Sequence, residues 1–192
     1  MFVRTKEMKA MFRNTQTGYG AITIVIHWLT ALIVIGLFAL GWWMLTLTYY
    51  DEWYRLGPWW HKSFGIVLLA LTVMRVIWTL LNTKPKPLGS RLERVGAKTG
   101  HLLLYLLLFT VMISGFLIST ADGSSISVFD WFSVPAVVTD LPKQEDIAGE
   151  VHWYSALALV ILAGGHGLAA MKHHFINKDS TLIRMFGKTK RK

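Results

Sequence analysis

The residues in this chain best placed to do chemistry are histidines. His152 and His166 stand 14 residues apart on one apolar run, Val151 to His174. In an α-helix that separation is a rise of about 21 Å and brings both imidazoles to within roughly 40° of one face. Neutral imidazole is an iron ligand, and two rings on opposite sides of one iron complete a six-coordinate haem. Arg75 repeats the 14-residue interval after His61, which places a buried fork of donors near the same face.

Those side chains need elements to hold them, and composition says which. Hydrophobic residues make up 53% of the 192, the mean hydropathy is +0.43, and there are nine Trp and ten Phe. A soluble domain of this length has no use for so much apolar surface. Four segments are long enough to span a bilayer: about 21–47, 59–81, 101–118 and 151–171. Uninterrupted apolar runs in lipid satisfy their backbone only as helices, so the expectation is an all-α, up-down four-transmembrane-helix bundle. The domain is expected over 21–175, between an N-terminal tail (1–20, partly disordered or interfacial) and a basic C-terminal tail (176–192). The first span is too long for a signal-peptide core and 20 residues precede it, so it reads as retained.

The net charge of +9 is distributed by side. Arg4, Lys6, Lys9 and Arg13 precede the first span. Lys84, Lys86, Arg91, Arg94 and Lys98 lie between the second and third. Lys178, Arg184, Lys188, Lys190, Arg191 and Lys192 follow the fourth. The other two connections carry Asp51 and Glu52, then Asp122, Asp130, Asp140, Glu145, Asp146 and Glu150. The positive-inside bias puts both termini in the cytoplasm, with some basic residues at anionic lipid headgroups. Membrane lipids therefore account for the charge, and nucleic acid is not a partner. The absence of cysteine excludes disulfides, cysteine-ligated clusters and covalent haem attachment.

Within the connections, Gly57-Pro58 should end the first one and open the second helix. Lys84-Pro85-Lys86-Pro87 breaks the chain before the third, which rises from about Leu92 or Ala97. The long loop 119–149 lies outside, with Val128-Phe129-Asp130-Trp131-Phe132 as a short surface-lying piece.

Topology sorts the histidines by depth. His61 and His152 begin their helices near the outer leaflet; His27 and His166 lie toward the cytoplasm. Two matched pairs mean two non-covalent b-type haems, with His27, His61, His152 and His166 as iron ligands. His101 competes with His27 for the inner position. The residue four places after a ligand shares its face, where a flat porphyrin favours a small side chain. Ala31, Gly65, Ala156 and Ala170 occupy that place after the four chosen histidines, and Tyr105 after His101, so His27 is preferred. Close packing of membrane helices also favours small residues there. Arg75 is a candidate partner for a haem propionate or quinone, with snorkelling as the alternative, and Lys62 for an outer propionate. His101, His173 and His174 are left at the cytoplasmic interface, either as surface histidines or as a site that hydrogen-bonds and protonates a quinone.

The chain resembles the bacterial cytochrome b561 family of small dihaem membrane cytochromes. The resemblance rests on His27-Trp28-Leu29, His61 with Gly65, Gly100-His101-Leu102 with Tyr105, His152, His166, His173-His174-Phe175 and Lys178-Asp179-Ser180-Thr181-Leu182, and covers about 15–186. It implies a bacterial inner-membrane oxidoreductase with the same four haem ligands, exchanging electrons with ubiquinone or another quinone. Some members oxidise superoxide and reduce ubiquinone. Here the acidic 119–150 loop disfavours capture of an anion and suits a basic periplasmic redox partner. The expected function is electron transfer between a periplasmic-side donor and the quinone pool. A haem-bearing anchor for a separate redox protein is the first alternative. A haem-free proton-coupled transporter is the second, and it lacks the broken helices or repeats it would need.

Overall fold

In the computed structural model, residues 11–139 and 141–188 are described. Arg4, Lys6, Lys9, Asp140, Lys190, Arg191 and Lys192 lie outside these. Four long helices dominate: α1 (Ala21–Met44), α2 (Trp53–Leu80), α3 (Arg91–Ser119) and α4 (Gln144–Phe175). A hairpin, β1 (Ile126–Val128) and β2 (Phe132–Val134), stands between α3 and α4, and a single turn, α5 (Thr181–Arg184), follows α4. Each of the four long helices is long and apolar enough to cross a membrane. Their outward faces carry large apolar side chains such as Leu32, Ile35, Leu106, Ile161 and Leu168, as surfaces meant for lipid do.

The helices exceed the apolar runs at their polar ends. α2 starts at Trp53 rather than at Trp59, so Pro58 lies inside it. That proline, six residues in, costs the helix one backbone hydrogen bond, to Tyr54. α3 starts at Arg91, where Ser90 and Glu93 form a capping box: Ser90 N–H donates to Glu93 Oε2 at 2.8 Å and Glu93 N–H to Ser90 Oγ at 3.4 Å. α4 starts at Gln144, seven residues before the apolar run, with Glu145 and Asp146 suited to its positive end.

The chain packs as two compact units, each containing segments of all four long helices. One comprises the chain through Ala31, Leu71–Leu102 and Leu162 onward; the other Leu32–Ala70 and Leu103–Ile161. In the second unit Leu68, Leu108, Met112 and Leu159 form a buried cluster, with Ile33, Val34 and Leu37 of α1 against it. The four-helix bundle expected from the sequence is realised there with all four helices in one core.

In the first unit the polar flanks are structured. Asn14 Oδ1 accepts from Gly20 N–H at 2.9 Å and Thr23 Oγ1 at 2.7 Å, and Asn14 N–H donates to Asn82 Oδ1 at 3.2 Å. Lys86 N–H donates to Gln16 O at 2.9 Å. Gly20 is required by this closeness, because a Cβ there would collide with the Phe12 and Arg13 carbonyls. Trp28 Nε1 donates to Met185 O at 2.8 Å and its ring lies 5.1 Å from that of Phe186. Residues 14–20 and 181–188 are thus tied to α1 and the α2–α3 connection. Side-chain amides close backbone hydrogen bonds in 14–20, before α1.

Candidate haem-ligand site

The hydrophobic runs that make α2 and α4 also carry His61 and His152 into the second unit. Their ring centroids are 6.1 Å apart at 70°. Two imidazoles sharing one metal ion, each with a nitrogen–metal bond of about 2 Å, would set their centroids about 5–6.5 Å apart, according to the angle at the metal. His152 Nδ1–H donates to the Val111 carbonyl of α3 at 2.9 Å, and Ser114 Oγ lies 3.4 Å from the same nitrogen. That bond fixes the tautomer and leaves the Nε2 lone pair for a metal, the usual arrangement behind a ligating histidine. His61 Nδ1 is buried and has no hydrogen-bond partner among the described residues. A buried imidazole nitrogen without a partner is costly unless something completes it.

Two glycines make room for these rings. A Cβ on Gly115 of α3 would stand 2.9 Å from His152 Cε1, and one on Gly41 of α1 would stand 3.2 Å from His61 Cε1. Each imidazole is pressed against bare backbone of a neighbouring helix. Gly65, one turn after His61, has open space where its Cβ would be. The sequence reading found Gly65 by its offset. It missed Gly41 and Gly115, whose only signal was a glycine within an apolar span.

The first unit holds a second pair. His27 of α1 and His166 of α4 have centroids 6.3 Å apart at 66°, close to the same two-ligand spacing. His101 of α3 is nearer to His166, at 5.0 Å, and its Nδ1 donates back to Ala97 O at 2.7 Å. His101 is also exposed, whereas His27 and His166 are half-buried.

Arg75 lies in this unit, at the level the 14-residue interval predicted, but its partner is a histidine. Arg75 Nη2 donates to His27 Nδ1 at 2.9 Å. Guanidinium can only donate, so this contact occupies the Nδ1 lone pair and places the neutral ring's proton on Nε2. Ligation through Nε2 requires the other tautomer, and therefore requires Arg75 to turn away. Tyr19, at the entrance to α1, feels both Arg184 and Arg75. Its burial outweighs those two cations and raises its phenol pKa.

Of the remaining candidates, Lys62 is exposed and close enough to Asp122 to help hold that carboxylate ionised, after the stronger hydrogen bonds from Ser124. His173 is half-buried, with Nδ1 2.6 Å from Asp179 Oδ2 and 3.2 Å from Asn177 Nδ2. Burial works to raise the pKa of Asp179; hydrogen bonds from Thr181 and His173 outweigh it and leave it lowered. Glu93 completes this patch, accepting from Lys172 Nζ at 2.5 Å and Asn177 Nδ2 at 2.9 Å. His174 packs on Phe175 instead.

The donor set itself decides what could bind. Among the described residues no group of three or more His, Cys, Asp or Glu could enclose a bare metal ion. Two imidazoles alone hold iron firmly only when a macrocycle supplies the other four ligands, and two half-buried, two-ring sites in apolar surroundings fit b-type haem.

Comparison with known proteins gives the family. A family model described as prokaryotic cytochrome b561 matches residues 18–188. The chain is 53% identical over 180 residues to cytochrome b561 homolog 2 of Escherichia coli (strain K12), covering 93% of this chain and 96% of that one. It is 30% identical over 185 residues to "Probable superoxide oxidase CybB" of Yersinia pestis, covering 88% and 96%. It is 28% identical over 178 residues to cytochrome b561 homolog 1 of Escherichia coli (strain K12), covering 90% and 98%. A multi-pass protein of the bacterial inner membrane and a carrier of electrons, the chain belongs to the prokaryotic cytochrome b561 family.

Proposed function

We propose that the protein carries electrons between a periplasmic-side donor and the quinone pool through two b-type haems. His61 and His152 would hold the outer haem; His27 and His166 would hold the inner one. The observation that carries this reading is the pair of matched ring separations, 6.1 and 6.3 Å, each between two different helices. When bound, the haems supply reversible one-electron chemistry at iron. The residues around them determine how that chemistry is used.

His152 is kept in the Nδ1–H tautomer by Val111, so its ligating nitrogen needs no proton removed. The glycines at 41 and 115 let both outer rings sit deep, which excludes water and tunes the potential through burial. On the inner side Arg75 must exchange one partner for another. Released from His27, its fork is suited to a propionate of the inner haem. The positive-inside distribution of charge supports a cytoplasmic location for that side and for both termini. His173, oriented by Asp179, would hydrogen-bond a quinone and pass it protons there, and His101 would share that site; quinone reduction needs both electrons and protons.

For the donor, charge favours a basic protein over a small anion. Exposed Asp122, Asp130, Glu145, Asp146 and Glu150 outnumber Lys62 and Lys143 in the connection and adjoining helix ends. Hydrogen bonds to Ser124 hold Asp122 below the usual carboxylate range, so it remains negative at neutral pH. Superoxide, which one relative's name invokes, would be repelled by this surface. The test is steady-state quinone reduction by the purified, haem-loaded chain with superoxide or a basic c-type cytochrome as donor. Reduction with the basic donor and little with superoxide is expected; the reverse would reassign the donor, and no reduction with either would favour a haem anchor for another subunit.

A further inference from the structure

We infer that the β1–β2 hairpin is the docking and electron-entry point for a cationic, water-soluble redox protein, with Trp131 as the apolar anchor and Phe129 carrying the contact inward to Trp60. This rests on the reading of His61 as an outer haem ligand, since Trp60 is the residue before it.

The hairpin is a built element. Val128 and Ile126 are buried, and its strands pair in register as Ile126 with Val134, Ser127 with Ser133 and Val128 with Phe132. It is pinned to α2 through Ser63, which is 0% exposed. Phe129 N–H donates to Ser63 Oγ at 3.1 Å, and Ser63 Oγ donates to Ser127 O at 3.4 Å. Ser63 is two residues after His61, so the hairpin is fastened where the outer ligand emerges.

Its tip is strained in a way that sorts the side chains. Phe129 and Asp130 both have positive φ, 49° and 58°, a conformation that costs any residue with a Cβ and is unusual for a bulky one. Held there, Phe129 meets Trp60 at 5.7 Å, Phe64 at 5.2 Å and Trp59 at 5.7 Å, while its other contact is Trp131 at 5.6 Å. Trp131 is 83% exposed. A continuous run of aromatic rings thus begins at an exposed tryptophan and ends at the neighbour of His61. Strain held at such a place is a pointer to function.

The partner's chemistry follows from the surroundings. Trp131, Phe132, Val137 and Leu141 expose apolar surface, with Asp130 at the tip and the other exposed carboxylates in the same unit. An exposed aromatic beside Asp130, in a unit with an excess of exposed carboxylates, matches a partner carrying an apolar patch with Lys or Arg around it. The same carboxylates disfavour insertion of this tip among anionic headgroups. In the transfer one electron leaves the partner's reduced centre and reduces the outer haem iron; no bond is made or broken and no proton moves.

The experiment uses the full chain in nanodiscs of neutral lipid, with a strongly basic c-type cytochrome as probe and both binding and single-turnover electron transfer as readouts. Trp131→Ala should weaken binding at low salt at least about tenfold, one anchor residue's worth, and binding should weaken further as salt rises. Phe129→Leu keeps an apolar side chain at the turn but breaks the run of rings, and should slow haem reduction several-fold. Equal affinity of wild type and Trp131→Ala, no salt dependence, or no binding below about 1 mM would overturn the inference. So would quenching of Trp131 fluorescence by brominated lipid, which would assign the tip to the membrane. Binding is also measured on haem-free protein. Trp131-dependent binding by a chain that takes up no haem would sink the haem reading and leave the docking surface standing. Normal haem content with binding indifferent to Trp131 would do the opposite.

Discussion

Arg75 and His27, on neighbouring helices, share a 2.9 Å hydrogen bond in which the guanidinium fills the imidazole Nδ1 lone pair. His152 is treated the other way, its Nδ1–H given to the Val111 carbonyl. The two candidate ligands are therefore prepared differently. His152 already presents a free Nε2 lone pair, whereas His27 can ligate only after Arg75 moves. On the proposed assignment, haem uptake at the inner pair would require one arginine to rotate, and uptake at the outer pair would not.

This gives a prediction for Arg75→Gln. Arg75 is hydrogen-bonded to His27, a proposed ligand of the inner haem, so removing its cation would favour the oxidised form by about 1–2 kcal/mol at an effective dielectric near 20. The inner haem's midpoint potential is expected to fall by roughly 50 mV or more, using 59 mV per tenfold for one electron. Potentiometric titration followed at the α band measures it, with the outer haem unmoved. An unchanged inner potential would remove Arg75 from the haem environment.

Gly115 offers a steric test. A Cβ there already stands 2.9 Å from His152 Cε1, so leucine cannot be fitted without displacing the ring. Gly115→Leu is expected to lose the outer haem and retain the inner one, reducing haem per chain from two to about one. Gly36, where a Cβ meets nothing within 4 Å, is the control: Gly36→Ala should leave haem content unchanged.

Ser63→Ala removes two of the hydrogen bonds that hold the hairpin to α2 and leaves the one from Trp59 Nε1 to Asp130 Oδ1 at 3.3 Å. The Phe129 N–H would lose its partner in a nearly buried position, at a cost of about 1–3 kcal/mol. Limited proteolysis should cut within 120–135 faster than in wild type, with haem content preserved. Equal protection would mean that Phe129 packing and the Trp59–Asp130 hydrogen bond secure the hairpin without Ser63.

His173→Asn should lower the rate of quinone reduction by at least about tenfold, within the usual range for loss of a proton donor, without loss of haem. Asp179→Asn should give a smaller decrease in the same direction, because it removes the carboxylate that orients the ring. Rates equal to wild type in both variants would place the quinone elsewhere.

Much of this molecule was legible in the sequence because membrane helices advertise themselves. Long apolar runs gave four helices, and residue number along a helix is depth, so histidines could be paired by arithmetic. Helix ends were less legible: α4 begins at Gln144 because acidic residues suit a helix start as well as a loop. The side-by-side facts were not legible. That Arg75 faces His27 rather than only sharing its level, that Gly115 backs His152, and that Ser63 fastens Phe129 all depend on which faces of different helices meet. Phe129 was read as part of a surface piece because its neighbours Asp130 and Trp131 are exposed; a two-residue turn of positive φ sends it inward.

The most direct test of the account is a pyridine haemochrome count on purified wild type and on single His→Ala variants at 27, 61, 101, 152 and 166, each with a reduced-minus-oxidised spectrum. The account predicts two b haems per wild-type chain. It predicts about one per chain when His27, His61, His152 or His166 is replaced, with the same spectral component lost within each pair, and two when His101 is replaced. One haem in the wild type, or loss of haem in His101→Ala with none lost in His27→Ala, would contradict it.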